Sequence, residues 1–316
     1  MLGAKTVNPL RISIVQYLNT APLVRGFTHG PLRGKYQLSF TVPSECAEDL
    51  RSGAADIAII PAIEYPRISN LVILPDLAIA SKKSVRSLLL VSKKPMHEIT
   101  SIALDRTSRS TQALVRILCH KHWHFAPEFF EAEPNLATML DRADAALLIG
   151  DPALRLAITS SAHAKRGLSG KLLIPATAAG VPAGSELLLL DIVEEWREMT
   201  ETPAVLAVWA ARPEVVNSEV VRDFQDSLAF GLRQLDAIVS ESAADMNLPV
   251  GDLRRYFTEN IDYQLDEENL RGLTTYYSLA AELGLIATAH AVAIAAKSRG
   301  PVRYMDFAFA RKDHHG

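Results

Sequence analysis

The chain of 316 residues is 48% hydrophobic, 22% charged and 7% aromatic, which provides for about two domains with buried cores. That apolar content excludes a disordered chain, and only 16 Gly and 17 Pro exclude a collagen-like or low-complexity one. With 33 Lys and Arg against 36 Asp and Glu, the net charge is −3, so no basic field draws the protein to nucleic acid or an anionic membrane. Cys46 and Cys119 stand far apart, with no CxxC and no zinc spacing, and read as buried, reduced thiols of a cytoplasmic protein. Near the start, Lys5, Asn8, Pro9 and Arg11, then Gln16 and Asn19, interrupt any apolar stretch an export signal would need. Leu279–Ala296 is apolar but carries Glu282 and His290 and is rich in alanine, so it is expected as a buried or capping helix rather than a membrane span.

From Arg11 the chain alternates short β-branched runs with helix-patterned segments. Ile12–Tyr17 reads as a strand ending in Asn19-Thr20-Ala21-Pro22. Gln37–Val42 reads as a second strand, Glu45–Ser52 as a helix stopped by Gly53, and Asp56–Ile60 as a third strand. Leu71–Ala80 and Ser84–Val91 add two more strands, and the alternation predicts a mostly parallel sheet covered on both faces. A second set begins near Ile99. It comprises a strand at Ser101–Leu104, a polar loop from Asp105 to Ser110, a helix at Thr111–His122, and strands at Pro127 to Ala132 and Ala145–Ile149. Leu187–Asp191 leads into a helix at Ile192–Met199, and Pro203 precedes the strand Val205–Ala210. Thereafter the pattern is helical, with long amphipathic stretches at Val220–Glu241 and Glu267–Leu283.

This order predicts an α/β chain of two lobes, 1–98 and 99–203, with a return strand and helices over 204–296 completing the first lobe and a tail over 297–316. Two lobes joined by two crossings form a clamshell whose cleft takes a small molecule. Ligands in open α/β sheets bind beyond the carboxyl ends of strands, so the loops there hold the candidates. Asn19 offers a donor and an acceptor without charge, or serves as a turn residue capping local backbone. Ser108, Ser110 and Thr111 bring hydroxyls to a helix start whose N–H groups suit an anion, with Arg106 and Arg109 nearby. Ordinary N-capping with solvated arginines fits the same residues.

After Gly150, Asp151-Pro152 matches an N-cap followed by proline at the first helical position. On the crossing, alternation leaves open whether Ser87 or Arg86 faces the cleft. His120, His122 and His124 read as a solvated helix end, since only the outer two share a face and no carboxylate stands at metalloprotease spacing. GxGxxG, GxxxxGK[ST] and GxSxG are all absent, so the sequence demands no cofactor and no metal.

Taken in order, Tyr17-Leu18-Asn19-Thr20-Ala21-Pro22-Leu23, Asp56-Ile57-Ala58, Ile63-Glu64-Tyr65, Val85-Arg86-Ser87 and Leu104-Asp105 with Ser108 and Ser110-Thr111 form one pattern. It continues through Leu148-Ile149-Gly150-Asp151-Pro152-Ala153-Leu154, then Trp196, Thr200, Pro203 and Ala207-Val208-Trp209-Ala210. Over roughly residues 10 to 290 the chain thereby resembles the chorismate dehydratases of the futalosine route to menaquinone. The resemblance implies the two-lobed clamshell of type II periplasmic binding proteins, here in the cytoplasm. It also implies loss of water from chorismate to give 3-[(1-carboxyvinyl)oxy]benzoate without a cofactor.

In that reading Asn19 is the catalytic residue. Ser108, Ser110 and Thr111 hold one carboxylate, Ser87 with Arg86 contributes to the other, and Gly150 and Asp151 complete the substrate site. Three departures touch the cleft wall: Pro61-Ala62 where serines are common, Glu201 where glycine is usual, and Val205-Leu206 in place of bulkier aromatics. The rivals are an anion-binding protein of the same fold and the sister synthase that makes 1,4-dihydroxy-6-naphthoate. The synthase's histidine base has no counterpart here beyond His163, in a glycine-rich polar stretch.

Overall fold

The structure, a computed structural model, describes residues 9–167, 171–181, 186–287, 292–295 and 303–305. The chain opens with β1 (Arg11–Val15), α1 (Ala21–Thr28), β2 (Gln37–Thr41), α2 (Pro43–Ser52), β3 (Ile57–Pro61) and β4 (Val72–Ser81). Its middle contains β5 (Leu88–Ser92), β6 (Ser101–Asp105), α3 (Arg109–Lys121), β7 (Glu128–Ala132), α4 (Leu136–Arg142), β8 (Ala145–Ile149), α5 (Gly150–Ser160), β9 (Lys165–Arg166), β10 (Leu172–Pro175) and β11 (Glu186–Asp191). After α6 (Ile192–Thr200) come β12 (Ala204–Ala211), α7 (Ser218–Arg233), α8 (Leu235–Met246), α9 (Val250–Arg255), α10 (Glu267–Glu282), β13 (Val292–Ile294) and β14 (Arg303–Met305).

These strands build two seven-stranded sheets, ordered β14-β13-β4-β12-β3-β1-β2 and β7-β6-β8-β5-β11-β10-β9. β3, β5 and β8 are buried along their whole length, which is why they read as unbroken apolar runs instead of alternating ones. Each sheet anchors one lobe of a clamshell, and the second lobe is an insertion between β4 and β12. Two crossings join the lobes.

Both sheets are mixed rather than mostly parallel, and the crossings explain it. β12 starts opposite the end of β4, with Ala204 beside Ser81, because the chain re-enters the first sheet where it left. It must therefore run antiparallel to both β4 and β3. β5 leaves the first crossing and β11 returns to the second, so they too pair antiparallel, with Leu89 opposite Asp191. β5 thus belongs to the second sheet, and the first crossing lies between Ser81 and Leu88 rather than at residue 98. Residues 84–87 of the expected strand are the crossing itself, with Arg86 at φ 60°.

Other boundaries differ for local reasons. The stretch Val220–Glu241 is two helices, broken at Gln234, whose backbone leaves the helical region. Within Leu279–Ala296 the helix ends at Glu282, Gly284 turns at φ 67°, and Val292–Ile294 pair beside β4. Residues 288–291 and 296 of that stretch lie outside the described ones, as does the tail 297–316 apart from 303–305 in β14.

The helices after β12 close on the first lobe at contact distance. α7 lies so near α1 that a Cβ on Gly231 would stand 2.0 Å from the Pro22 carbonyl oxygen. On α10, a Cβ at Gly272 would stand 2.2 Å from the Pro203 oxygen. Beneath them Phe27, Tyr36, Trp209 and Phe224 pack edge to face. Among the described residues no helix is long and apolar enough to cross a membrane.

Candidate active site in the cleft between the lobes

The first lobe's contribution begins where β1 ends. Thr20 Oγ1 donates to the carbonyls of Val15 and Tyr17, both at 2.7 Å, and bends the chain into a single 3₁₀ turn over Leu18–Thr20. That turn carries Asn19 into a cavity of about 50 Å³ between the lobes. Tyr17, Pro61 and Leu206 line it from the first lobe, Ser87 from the crossing, and Ser108, Thr111 and Gly150 from the helix starts of the second. Among the described residues, no Asp, Glu, Lys, Arg or His side chain lines it. Asn19 Oδ1 is buried there without a partner, a position that costs free energy until something is bound.

Of the residues singled out in the sequence, Asn19, Ser87, Ser108, Thr111 and Gly150 meet in this cavity. Ser108 occupies the N-cap position of α3 but makes no cap hydrogen bond. Its hydroxyl pairs with that of Thr111 at 2.9 Å instead. Gly150 opens α5 at φ 65°, and a Cβ there would stand 3.0 Å from the Tyr17 ring, so glycine seats the phenol.

Five residues go elsewhere, among them Arg106, exposed and paired with Glu133 at 2.8 Å. Ser110 Oγ accepts from the Ile63 N–H at 3.1 Å, and its carbonyl takes the Tyr276 hydroxyl, so it fastens α3 to the first lobe. The Arg86 side chain faces a separate groove and lies 3.5 Å from Asp252, while the Val85 and Arg86 N–H groups bond to Asp191. Arg109 is half-buried and held in ion pairs. It reaches across to Glu48 at 2.8 Å and to the buried Glu64 at 3.2 Å, which also holds Arg51 and Arg67. Asp151 does not cap α5. Its Oδ1 crosses the cleft and accepts the Leu18 N–H at 3.0 Å, capping the turn that carries Asn19. Burial holds its carboxyl above the usual range.

Two hydrogen-bond chains back the cavity wall. Tyr17 Oη lies 3.0 Å from Thr107 Oγ1, which donates to Asp105 Oδ1 at 2.7 Å, and the Thr107 N–H bonds to the same oxygen at 2.9 Å. Burial pushes the Tyr17 phenol up to about 12, so it stays neutral. On the other side Tyr256 donates to Ser87 Oγ at 3.0 Å. Tyr17 shares its loop with Asn19 and was legible as a neighbour, whereas nothing in the sequence connects Tyr256 to Ser87.

A separate cluster at the end of α3 brings His122, Glu195 and Glu198 within 4.8 Å of one another. His120 and His124 are exposed, as a solvated helix end requires, whereas His122 is half-buried beside Glu195. Lys171 already binds both carboxylates and the Trp123 indole donates to Glu195, so the group is satisfied as an ion-pair network. Cys46 and Cys119 are buried free thiols, both pushed up to about 12 by burial.

Residues 10–282 match the family model described as menaquinone biosynthesis. The chain belongs to the menaquinone biosynthesis family. A chorismate dehydratase of Thermus thermophilus is 27% identical over 284 residues, covering 88% of this chain and 97% of the relative. Among solved structures, protein AF1704 of Archaeoglobus fulgidus superposes with a TM-score of 0.67 at 19% identity, covering 88% of this chain and 98% of that one. The alkanesulfonate-binding protein SsuA of Xanthomonas axonopodis gives 0.58 at 14% identity, covering 90% and 96%. This menaquinone biosynthesis protein therefore has the two-lobed fold of periplasmic binding proteins. Two of its departures, Pro61 and Leu206, line the cavity, whereas Ala62 is buried behind it with its carbonyl bonded to Tyr277.

Proposed function

We propose that the protein is a hydro-lyase that converts chorismate into 3-[(1-carboxyvinyl)oxy]benzoate and water. The observation that carries this reading is the hydroxyl-lined cavity, with no charged side chain among its described lining residues and an unpaired Asn19 amide oxygen, between the lobes of a menaquinone biosynthesis protein. The Thermus relative's activity supports the same assignment.

The reaction asks little of the protein in acid–base power. The C3 hydrogen leaves as a proton, its bonding pair becomes a ring double bond, and the C4–O bond breaks to release hydroxide, which takes up a proton as water. The aromatic product supplies the driving force. Chorismate can also rearrange or lose pyruvate, so the protein's work is to fix the conformer and exclude water. The start of α3, with Ser108 and Thr111, holds one carboxylate through hydroxyls and N–H groups. Ser87 contributes to the other without Arg86. Asn19 hydrogen-bonds the reacting region. An amide is a poor base, and among the described residues no ionised side chain lines the cavity, so the substrate's own enolpyruvyl carboxylate takes the C3 proton.

At about 50 Å³ the cavity is far below the ~300–1,000 Å³ usual for ligand sites, so the lobes part to admit substrate. Incubation of the protein with chorismate, followed by chromatography with mass detection, is expected to give an aromatic species lighter by one water. Asn19→Ala should lower kcat about 100-fold with a much smaller effect on binding. Chorismate bound but returned unchanged would identify an anion-binding protein instead.

A further inference from the structure

With Asp105 as a carboxylate, which can only accept, the chain Tyr17–Thr107–Asp105 has one consistent arrangement of hydrogens. Thr107 has a single hydroxyl hydrogen, and it goes to Asp105 Oδ1. Tyr17 Oη must then be the donor in its 3.0 Å contact with Thr107 Oγ1. The phenol hydrogen is used up inside the wall, so Tyr17, which lines the cavity, keeps only lone pairs on Oη for a further partner. Asp105 is fully buried, and the Ile149 N–H also favours its carboxylate, so every neighbouring group acts on Asp105 as a donor. Ser87 has the opposite polarity, because it receives the Tyr256 hydroxyl and keeps its own hydrogen for the cavity.

We propose that Tyr17 is a specificity-determining residue, a fixed acceptor that takes the ligand's hydroxyl and turns carboxylates away, with Thr107 and Asp105 as the residues that position it. This rests on the dehydratase reading and deepens it. A carboxylate facing Tyr17 would set lone pair against lone pair, so both carboxylates must point to the donor groups at Ser87 and at Ser108–Thr111. Once its two carboxylates are ionised, chorismate has one O–H, on C4, the group that leaves. The product has none. Tyr17 therefore distinguishes substrate from product, and loss of that bond on dehydration favours release. Asn19 remains free to meet the leaving oxygen from its amide end.

The test is calorimetric binding of chorismate and of the product, in an Asn19→Ala background that slows turnover. Tyr17→Phe keeps the ring seated over Gly150, so its folding is checked by an unchanged Tm. It is expected to weaken chorismate about tenfold, the cost of one buried hydrogen bond, and to leave the product within about twofold. Thr107→Val releases the phenol hydrogen and should erase part of the chorismate preference, while Thr107→Ser should restore it. Equal weakening of both ligands by Tyr17→Phe, or of neither, overturns the proposal while the dehydratase reading stands. Absence of both chorismate turnover by the unmodified protein and binding of either ligand brings down the reading and the proposal together.

Discussion

Glu201 closes α6 in the left-handed region, at φ 59°, with its side chain exposed. An L-residue with a Cβ pays about 1 kcal/mol to stand there, which glycine does not. Glu201→Gly should therefore raise stability by about 0.5–1 kcal/mol, read as a higher denaturant midpoint with unchanged slope, and leave activity as it was. The departure at this position is thus a matter of backbone strain and not of the cleft. Residue by residue, the sequence was informative where a loop follows a strand. Asn19, Ser87, Ser108, Thr111 and Gly150 reach one cavity because each sits at a strand or crossing end that faces the other lobe. Arg86, Ser110 and Asp151 failed the same rule because side-chain direction decides their partners. A positive φ turns Arg86 to Asp252, and the other two bond across the cleft to backbone that sequence spacing does not reveal.

Elements were legible in type and less so in their ends and partners. Strand and helix periodicity located most of them, but the sheet to which β5 belongs follows from where the chain crosses, which periodicity does not encode. The start of the second sheet is fixed by one carboxylate. Asp144, just before β8, accepts from the Thr100 N–H and hydroxyl beside β6 and pairs with Lys94 after β5. Burial opposes its ionisation, but Lys94 and the Thr100 donors outweigh that and hold it below the usual carboxylate range. A carboxyl depressed in the folded state stabilises above its unfolded value near 3.9 and loses that contribution as pH falls through the folded value. Asp144→Asn should therefore lower Tm at neutral pH and converge on the unmodified protein in acid, as measured by thermal melts across pH. Between α1 and α7 the constraint is steric. Gly231→Ala places a Cβ 2.0 Å from a backbone oxygen, so the helices must separate, at a cost of about 3 kcal/mol in denaturant unfolding.

At the scale of the whole molecule, the site is assembled from two lobes that hold each other's loops. Ser110 and Tyr276 fasten α3 to the first lobe through buried bonds, whereas Asp151 reaches Leu18 from beside an open groove. The Leu18 contact joins the two lobes directly, so opening of the cleft breaks it. It also caps the turn carrying Asn19, so closing the lobes sets the Asn19 amide in place. Asp151→Ala removes an acceptor worth about 2 kcal/mol to that turn, and kcat/KM for chorismate should fall about 30-fold, mostly in kcat. Asp151→Asn can still accept the Leu18 N–H through its amide oxygen, so it should keep most of the activity. Were Asp151 itself the proton carrier, Asn and Ala would be equally damaging, and steady-state kinetics on the two variants separates a positioning carboxylate from a reacting one.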